Sequence, residues 1–199
     1  MSDRSELIEL HNRLSKTLDE EREAAREKRY EKGYRTAREN LDDLVDKDSF
    51  VEYGQLAIAA QKSRRELEEL RTETAADGII TGFGKINSEI LNNKKALSAI
   101  IINDYSVLAG TQGYYHHKKL DRICETAEKQ NLPVVMYTEG GGGRPGDTDV
   151  HVQFAGLNIP SFSNWAKLKG KSLRIAAVSY THLRAHETEA DLVCRLLLE

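Results

Sequence analysis

Cysteine, proline and tryptophan are scarce in this sequence: two, three and one among 199 residues. Cys124 and Cys194 cannot build the disulfide framework on which small secreted domains depend. Long apolar runs are missing too. No stretch approaches the roughly 18–20 residues of a membrane-spanning helix, and the opening MSDRSELIEL lacks the apolar centre of a signal peptide. The expectation is a cytoplasmic protein with no membrane partner. Charge of one sign is not in excess: 29 Lys and Arg stand against 32 Asp and Glu, a formal net charge of −3. Such a balance argues against nucleic acid as a partner, because non-specific binding draws on a basic surface. What is present is ordinary. The 39% hydrophobic and 31% charged residues leave enough apolar material for one domain with a core.

The charge is concentrated at one end. Residues 1–48 hold 11 Lys and Arg and 14 Asp and Glu, so over half of this arm is charged. Leu7, Leu10, Leu14 and Leu18 keep the three-to-four spacing of an amphipathic helix. Beyond Leu18, EEREAAREKRYEK keeps helix formers without the stripe, and Gly33 ends the helix. Thr36 and Glu39 have capping-box spacing and open a short helix reaching about Val45. From residue 49 to 177 the texture changes. Residues 50–54 read as a brief strand and 61–73 as a second charged helix. Residues 78–86 and 96–102 read as strands, the second an unbroken apolar run suited to burial on both faces. A helix over 116–130 turns Leu120, Ile123, Cys124 and Ala127 inward, and a strand over 132–137 follows. A helix over 162–168 capped by Ser161 and a strand over 173–178 complete an α/β order without internal repeats.

The strand over 132–137 runs directly into TEGGGGRPGD at 138–147. Four consecutive glycines pack nothing and carry a large entropic cost, so they suit a place where backbone N–H groups must approach a ligand closely. Two such amides converging on an oxygen stabilise negative charge as it develops. The string 141–146 also satisfies G-x-G-x-x-G, but Pro145 sits inside it and no dinucleotide-binding unit follows. A plain surface loop is the competing reading. Position counts against it, because α/β proteins bind ligands at the carboxyl ends of their strands.

Four segments in one order, RTAREN at 35–40, FVEYG at 50–54, DYSVLAGTQG at 104–113 and EGGGGRPGDTD at 139–149, resemble the biotin-dependent acyl-CoA carboxyltransferases. The resemblance covers about residues 5–177. It implies a crotonase-like spiral of ββα units, of which residues 49–177 would form the first part of an N-terminal domain. It also implies carboxyl transfer from carboxybiotin, carried on a partner domain or subunit, to the α-carbon of an acyl-CoA. Biotin carboxylase and biotin carboxyl carrier components would be partners, and the full-length protein would be a homo-oligomer. Aligned on the loop, the paired oxyanion amides fall on Gly141 and Gly142, and Gly143 and Arg144 adjoin them as substrate-binding residues, Arg144 also holding the loop. Gly110 and Thr111, in the neighbouring strand-end loop, become acyl-CoA contacts. Lys118 and Lys119 are placed to attract CoA phosphates, with a solvated helix start as the alternative. No metal is implied. Two other functions compete: the carboxyltransferase subunit of a sodium-pumping acyl-CoA decarboxylase, and a non-catalytic CoA-binding or oligomerisation scaffold.

The remaining polar residues read more plainly. Arg35 and Arg38 anchor the arm through ion pairs. Asp147 and Asp149 cap a loop rather than bind a metal. His151 has no partner at ligand spacing, Trp165 is core, and Cys124 is an inert core thiol. Residues 178–199 form a separate case. His182, His186 and Cys194 invite a zinc reading. Yet VSYTHLRAHET, three variable residues and LVCRLLLE resemble a translated sequencing adapter, so this tail is expected to be an artefact truncating a longer gene. A chain so truncated is expected to be inactive alone.

Overall fold

The computed structural model describes residues 3–150 and 160–178. Its helices are α1 (Asp3–Ser15), α2 (Glu23–Tyr30), α3 (Ala37–Leu44), α4 (Leu67–Glu73), α5 (Asn93–Ala96), α6 (Tyr114–Gln130) and α7 (Ser161–Lys167). The strands are β1 (Val51–Glu52), β2 (Ile79–Lys85), β3 (Leu97–Asn103), β4 (Val134–Thr138) and β5 (Arg174–Val178). They form one sheet in the order β1-β2-β3-β4-β5. β1, β2 and β3 pair antiparallel, whereas β3, β4 and β5 pair parallel. The carboxyl ends of β3 and β4 therefore lie side by side, and the loops leaving them meet.

The apolar run in β3 is buried on both faces, as its sequence predicts. Ile101 packs with Leu120, Ile123, Cys124 and Ala127 of α6 and with Leu168 beyond α7. Ile100 and Ile102 turn the other way, onto Val135 and onto Ala37 and Leu41 of α3. All three isoleucines are fully buried, and each contributes about 1.5–3 kcal/mol by leaving water. The second face thus takes part of its cover from the charged arm. The capping box that opens α3 is complete: Glu39 N–H donates to Thr36 Oγ1, and Thr36 N–H donates to the Glu39 carboxylate.

Elsewhere the sequence reading needs correction. The stripe on α1 does not reach a core: Leu7, Ile8 and Leu10 are exposed. The helix expected from residue 61 begins only at Leu67. The stretch before it is drawn away as a loop, because Asp149 accepts from the N–H groups of Lys62 and Ser63. Ser161 does not cap α7. Its hydroxyl donates to Asp121 Oδ1 at 2.7 Å, with His117 Nδ1 3.0 Å away, tying α7 to α6. Trp165 is only partly buried, packed against the first cluster. His151 and the histidine- and cysteine-bearing tail after 178 lie outside the described residues.

Candidate active site

The loop leaving β3, residues 104–113, and the loop leaving β4, residues 139–149, are zipped backbone to backbone. Gly141 N–H donates to Gly110 O at 3.0 Å, Gln112 N–H to Gly142 O at 2.7 Å, and Arg144 N–H to Gln112 O at 2.9 Å. This approach requires glycine on both sides. A methyl group on Gly110 would overlap Glu139 O, and one on Gly141 would overlap Ala109 O. Gly142 and Gly143 differ. Among the described residues, a Cβ on either would meet nothing within 4 Å, and Gly142 has φ +89°. Among the described residues, neither of their N–H groups has an acceptor.

This geometry moves the expected donor pair along by one residue. Gly141, assigned as an oxyanion donor, already hydrogen-bonds to Gly110, so the adjacent open amides are those of Gly142 and Gly143. The two contacts that join the loops use the N–H groups of Gly141, toward Gly110, and of Arg144, toward Gln112, and leave those of Gly142 and Gly143 between them. Gly110 and Thr111 do flank the glycine loop. The Thr111 hydroxyl, however, donates back to Leu108 O at 2.7 Å.

Arg144 holds the loop as expected, and its enclosure revises only its assignment as a substrate contact. Its side chain is 4% exposed, pairs with Asp77, lies 3.6 Å from Asp147, and donates to Thr111 O at 2.6 Å. With its guanidinium enclosed, Arg144 holds the loop and does not reach a substrate. The two carboxylates around it also cap α6: Tyr114 N–H donates to Asp147 and His116 N–H to Asp77, at 2.8 and 2.7 Å. Burial pushes the Asp77 carboxyl above its ordinary range, even though Arg144 opposes this. His116 is fully buried. Desolvation, followed by the neighbouring charges of His117 and Arg144, brings its imidazole down to about 3. Asp147 and Asp149 act as loop caps, as the sequence suggests, through Tyr114, Lys62 and Ser63.

The two lysines separate. Lys118 is exposed, with its ammonium 5.4 Å from the Tyr114 ring centre. With Tyr53, Tyr115 and Arg122 it lines a largely apolar cavity of about 310 Å³. Lys119 is 7% exposed, and its ammonium donates to the carbonyls of Ala76, at 2.8 Å, and Ile79. The Lys119 ammonium is thus turned inward, onto these carbonyls, while its stem lines the same cavity.

Two arginines of the arm, not anticipated as site residues, complete the arrangement. Arg29 from α2 makes a bidentate pair with Glu139, the residue before the glycines, at 2.6 and 2.8 Å. Arg22 reaches Asp104, just past β3, at 2.7 Å. Burial would raise the Asp104 carboxyl, but Arg22 and Ser106 together hold it below its ordinary value. Both strand-end carboxylates are thus paired with arginines of the arm. A third pair, Arg38 with Glu52 at 2.5 Å, fixes α3 to β1. Arg35 makes an exposed pair with Asp43 and donates to Glu39 O at 2.9 Å.

A family model described as the carboxyl transferase domain matches residues 28–179. The β5 subunit of a biotin-dependent acetyl-/propionyl-coenzyme A carboxylase from Mycobacterium tuberculosis is 34% identical over 139 residues, 69% of this chain and 23% of that protein. The α subunit of methylmalonyl-CoA decarboxylase from Veillonella parvula is 31% identical over 136 residues, covering 68% and 25%. The solved structure of a single-chain, multi-domain long-chain acyl-CoA carboxylase is 48% identical with a TM-score of 0.81, covering 89% of this chain and 17% of that one. The chain spans about a quarter of the length of the curated relatives it matches. Its fold is the crotonase-like α/β arrangement of such domains.

Proposed function

The chain belongs to the carboxyl transferase family, and from that premise we propose that it supplies the acyl-CoA side of the active site in a biotin-dependent acyl-CoA carboxylase. One observation carries this reading. At the carboxyl ends of two parallel strands, the adjacent N–H groups of Gly142 and Gly143 have no acceptor among the described residues, and a Cβ on either would meet none of those residues within 4 Å. Loss of a proton from the α-carbon of a thioester places negative charge on its carbonyl oxygen. Fixed amides aimed at that oxygen stabilise the enolate without having to reorganise as the charge forms. The residues fit a thioester, because the recognition they offer is two backbone donors and no ionisable side chain. Carboxybiotin, held on a partner domain or subunit, would supply both the CO2 that the α-carbon attacks and, as the biotin left after CO2 departs, the base that takes the α-proton.

The protein's other groups serve this pair of donors. Arg144 and the Gly110–Gly141 contact fix the loop, while Arg22 and Arg29 cancel carboxylate charge that would oppose an enolate. Biotin carboxylase and carrier components, and further copies of the full-length chain, are the partners this reading requires. The similarity to a decarboxylase subunit favours a second reading in which the same donors stabilise the same enolate after CO2 is lost. Assaying carboxyl gain by an acyl-CoA against carboxyl loss from a malonyl-type thioester separates the two.

Gly142→Val in the full-length protein tests the site. A β-branched residue cannot adopt φ +89° without strain, while its Cβ meets none of the described residues within 4 Å. Turnover is expected to fall about 10²–10³-fold with subunit assembly unchanged. Normal turnover would overturn the assignment.

A further inference from the structure

We propose that Lys119 is a positioning residue, which sets the glycine loop by pinning the left-handed turn that carries Asp77. Ala76, Asp77 and Gly78 follow one another at φ +51°, +51° and +72°. Only the last is a glycine, and a left-handed alanine carries about a tenfold population penalty. Something must hold this turn. The Lys119 ammonium brackets it from both ends, donating to Ala76 O at 2.8 Å and to Ile79 O. Its carbon stem is clamped against Gly54, where the nearest approach of a methyl group would be 3.0 Å.

The turn is the post from which the site hangs. Asp77 is fully buried; one of its oxygens pairs with Arg144, and the other accepts His116 N–H at 2.7 Å. Arg144 in turn donates to Thr111 O at 2.6 Å and to Thr111 Oγ1 at 3.2 Å. Its own N–H continues the zip between the two loops. The path from Lys119 to the open amides therefore runs through five residues, each joined to the next by a hydrogen bond, an ion pair or the chain itself. Burial lowers the lysine to about 8, so holding a cation there has a cost. Two carbonyl oxygens that converge on one ammonium offset it.

The inference rests on the carboxyltransferase reading only for its catalytic consequence, so the test reads loop order and needs no turnover. Amide hydrogen exchange is measured on the 199-residue chain and on Lys119→Met. Exchange in residues 139–147 is expected to rise about tenfold, with β3 unchanged. Ala76→Gly, which removes the penalty at φ +51°, should restore most of the protection in the Lys119→Met background. A lysine that acted on a ligand or served only general packing would not be rescued this way. An unchanged glycine loop, an equal rise across β2 to β4, or a double variant no better than Lys119→Met would each overturn the proposal. Should Lys119→Met fail to fold, recovery of the fold by Ala76→Gly supports the proposal and failure of the double variant refutes it. If the exchange result holds while Gly142→Val keeps normal turnover, the functional reading fails and the positioning role stands.

Discussion

Removing Arg29 should cost far more than a surface ion pair is worth. Arg29 and Glu139 side chains are each 10% exposed and meet through two hydrogen bonds. Arg29 also donates twice to Arg35 O, at 3.0 and 2.8 Å. Arg29→Met keeps the apolar stem but leaves a nearly enclosed carboxylate without a counter-charge. Breaking a buried pair from one side costs about 3–5 kcal/mol, against 0–1 kcal/mol for an exposed pair. In urea, at a slope of about 2 kcal/mol per molar, that loss moves the unfolding midpoint down by about 1.5–2.5 M. Fluorescence of Trp165, the single tryptophan, can follow the transition. Adding Glu139→Gln removes the stranded charge, so the double variant should be more stable than Arg29→Met alone. Raising the salt concentration should change the coupling little, because screening acts mainly on exposed charges. A midpoint shift below about 0.5 M, or strict additivity of the two substitutions, would refute the claim that the arm grips the glycine loop through this pair.

Two further outcomes follow from the α6 end of the site. Gly113→Ala would place a methyl group into the Arg144 guanidinium and the Asp147 carboxylate; thermal unfolding should register a loss of about 1–3 kcal/mol, whereas an unchanged Tm would mean the network yields freely. His116 stays neutral down to about 3 in the folded chain, but takes up a proton near 6.5 when unfolded. Between those values the unfolded state binds the extra proton, so stability falls on acidification by about 1.4 kcal/mol per pH unit. His116→Phe should flatten that slope by one proton, and an unchanged slope would show that the histidine is not the group responsible.

The fold was legible wherever neighbouring residues decide it. The capping box at Thr36 and Glu39, the triple isoleucine of β3 and the three-to-four spacing along α6 each depend on a short window, and each formed as read. The buried state of His116 was also within reach. It stands one helical turn before Leu120, and with Ile123 and Ala127 it extends the same inward face. What could not be read locally was which polar groups would meet across the fold. Nothing near Arg144 in sequence points to Asp77, 67 residues away. Nothing near Lys119 points to the carbonyls of Ala76 and Ile79. Gly141 was misread because its N–H direction is set by pairing with a second loop. The loop's position at the end of a strand was legible, and its hydrogen-bond phase was not.

The reach of the arm's arginines has a consequence for how the chain folds. Arg22 and Asp104 are 82 residues apart, and Arg29 and Glu139 are 110 apart. At about 5–20 residues per second, the arm leaves the ribosome about 5–20 s before its partners are made. Closing a loop of that length costs about 4 kcal/mol in chain entropy, comparable with what the Arg29–Glu139 pair can return. The pair cannot gather its own ends. It forms once the contacts among β2, β3, α6 and β4 have already brought the two strand ends together, so the arm, though synthesised before those strands, docks after them. The glycine loop acquires its fixed electrostatic setting at that final step.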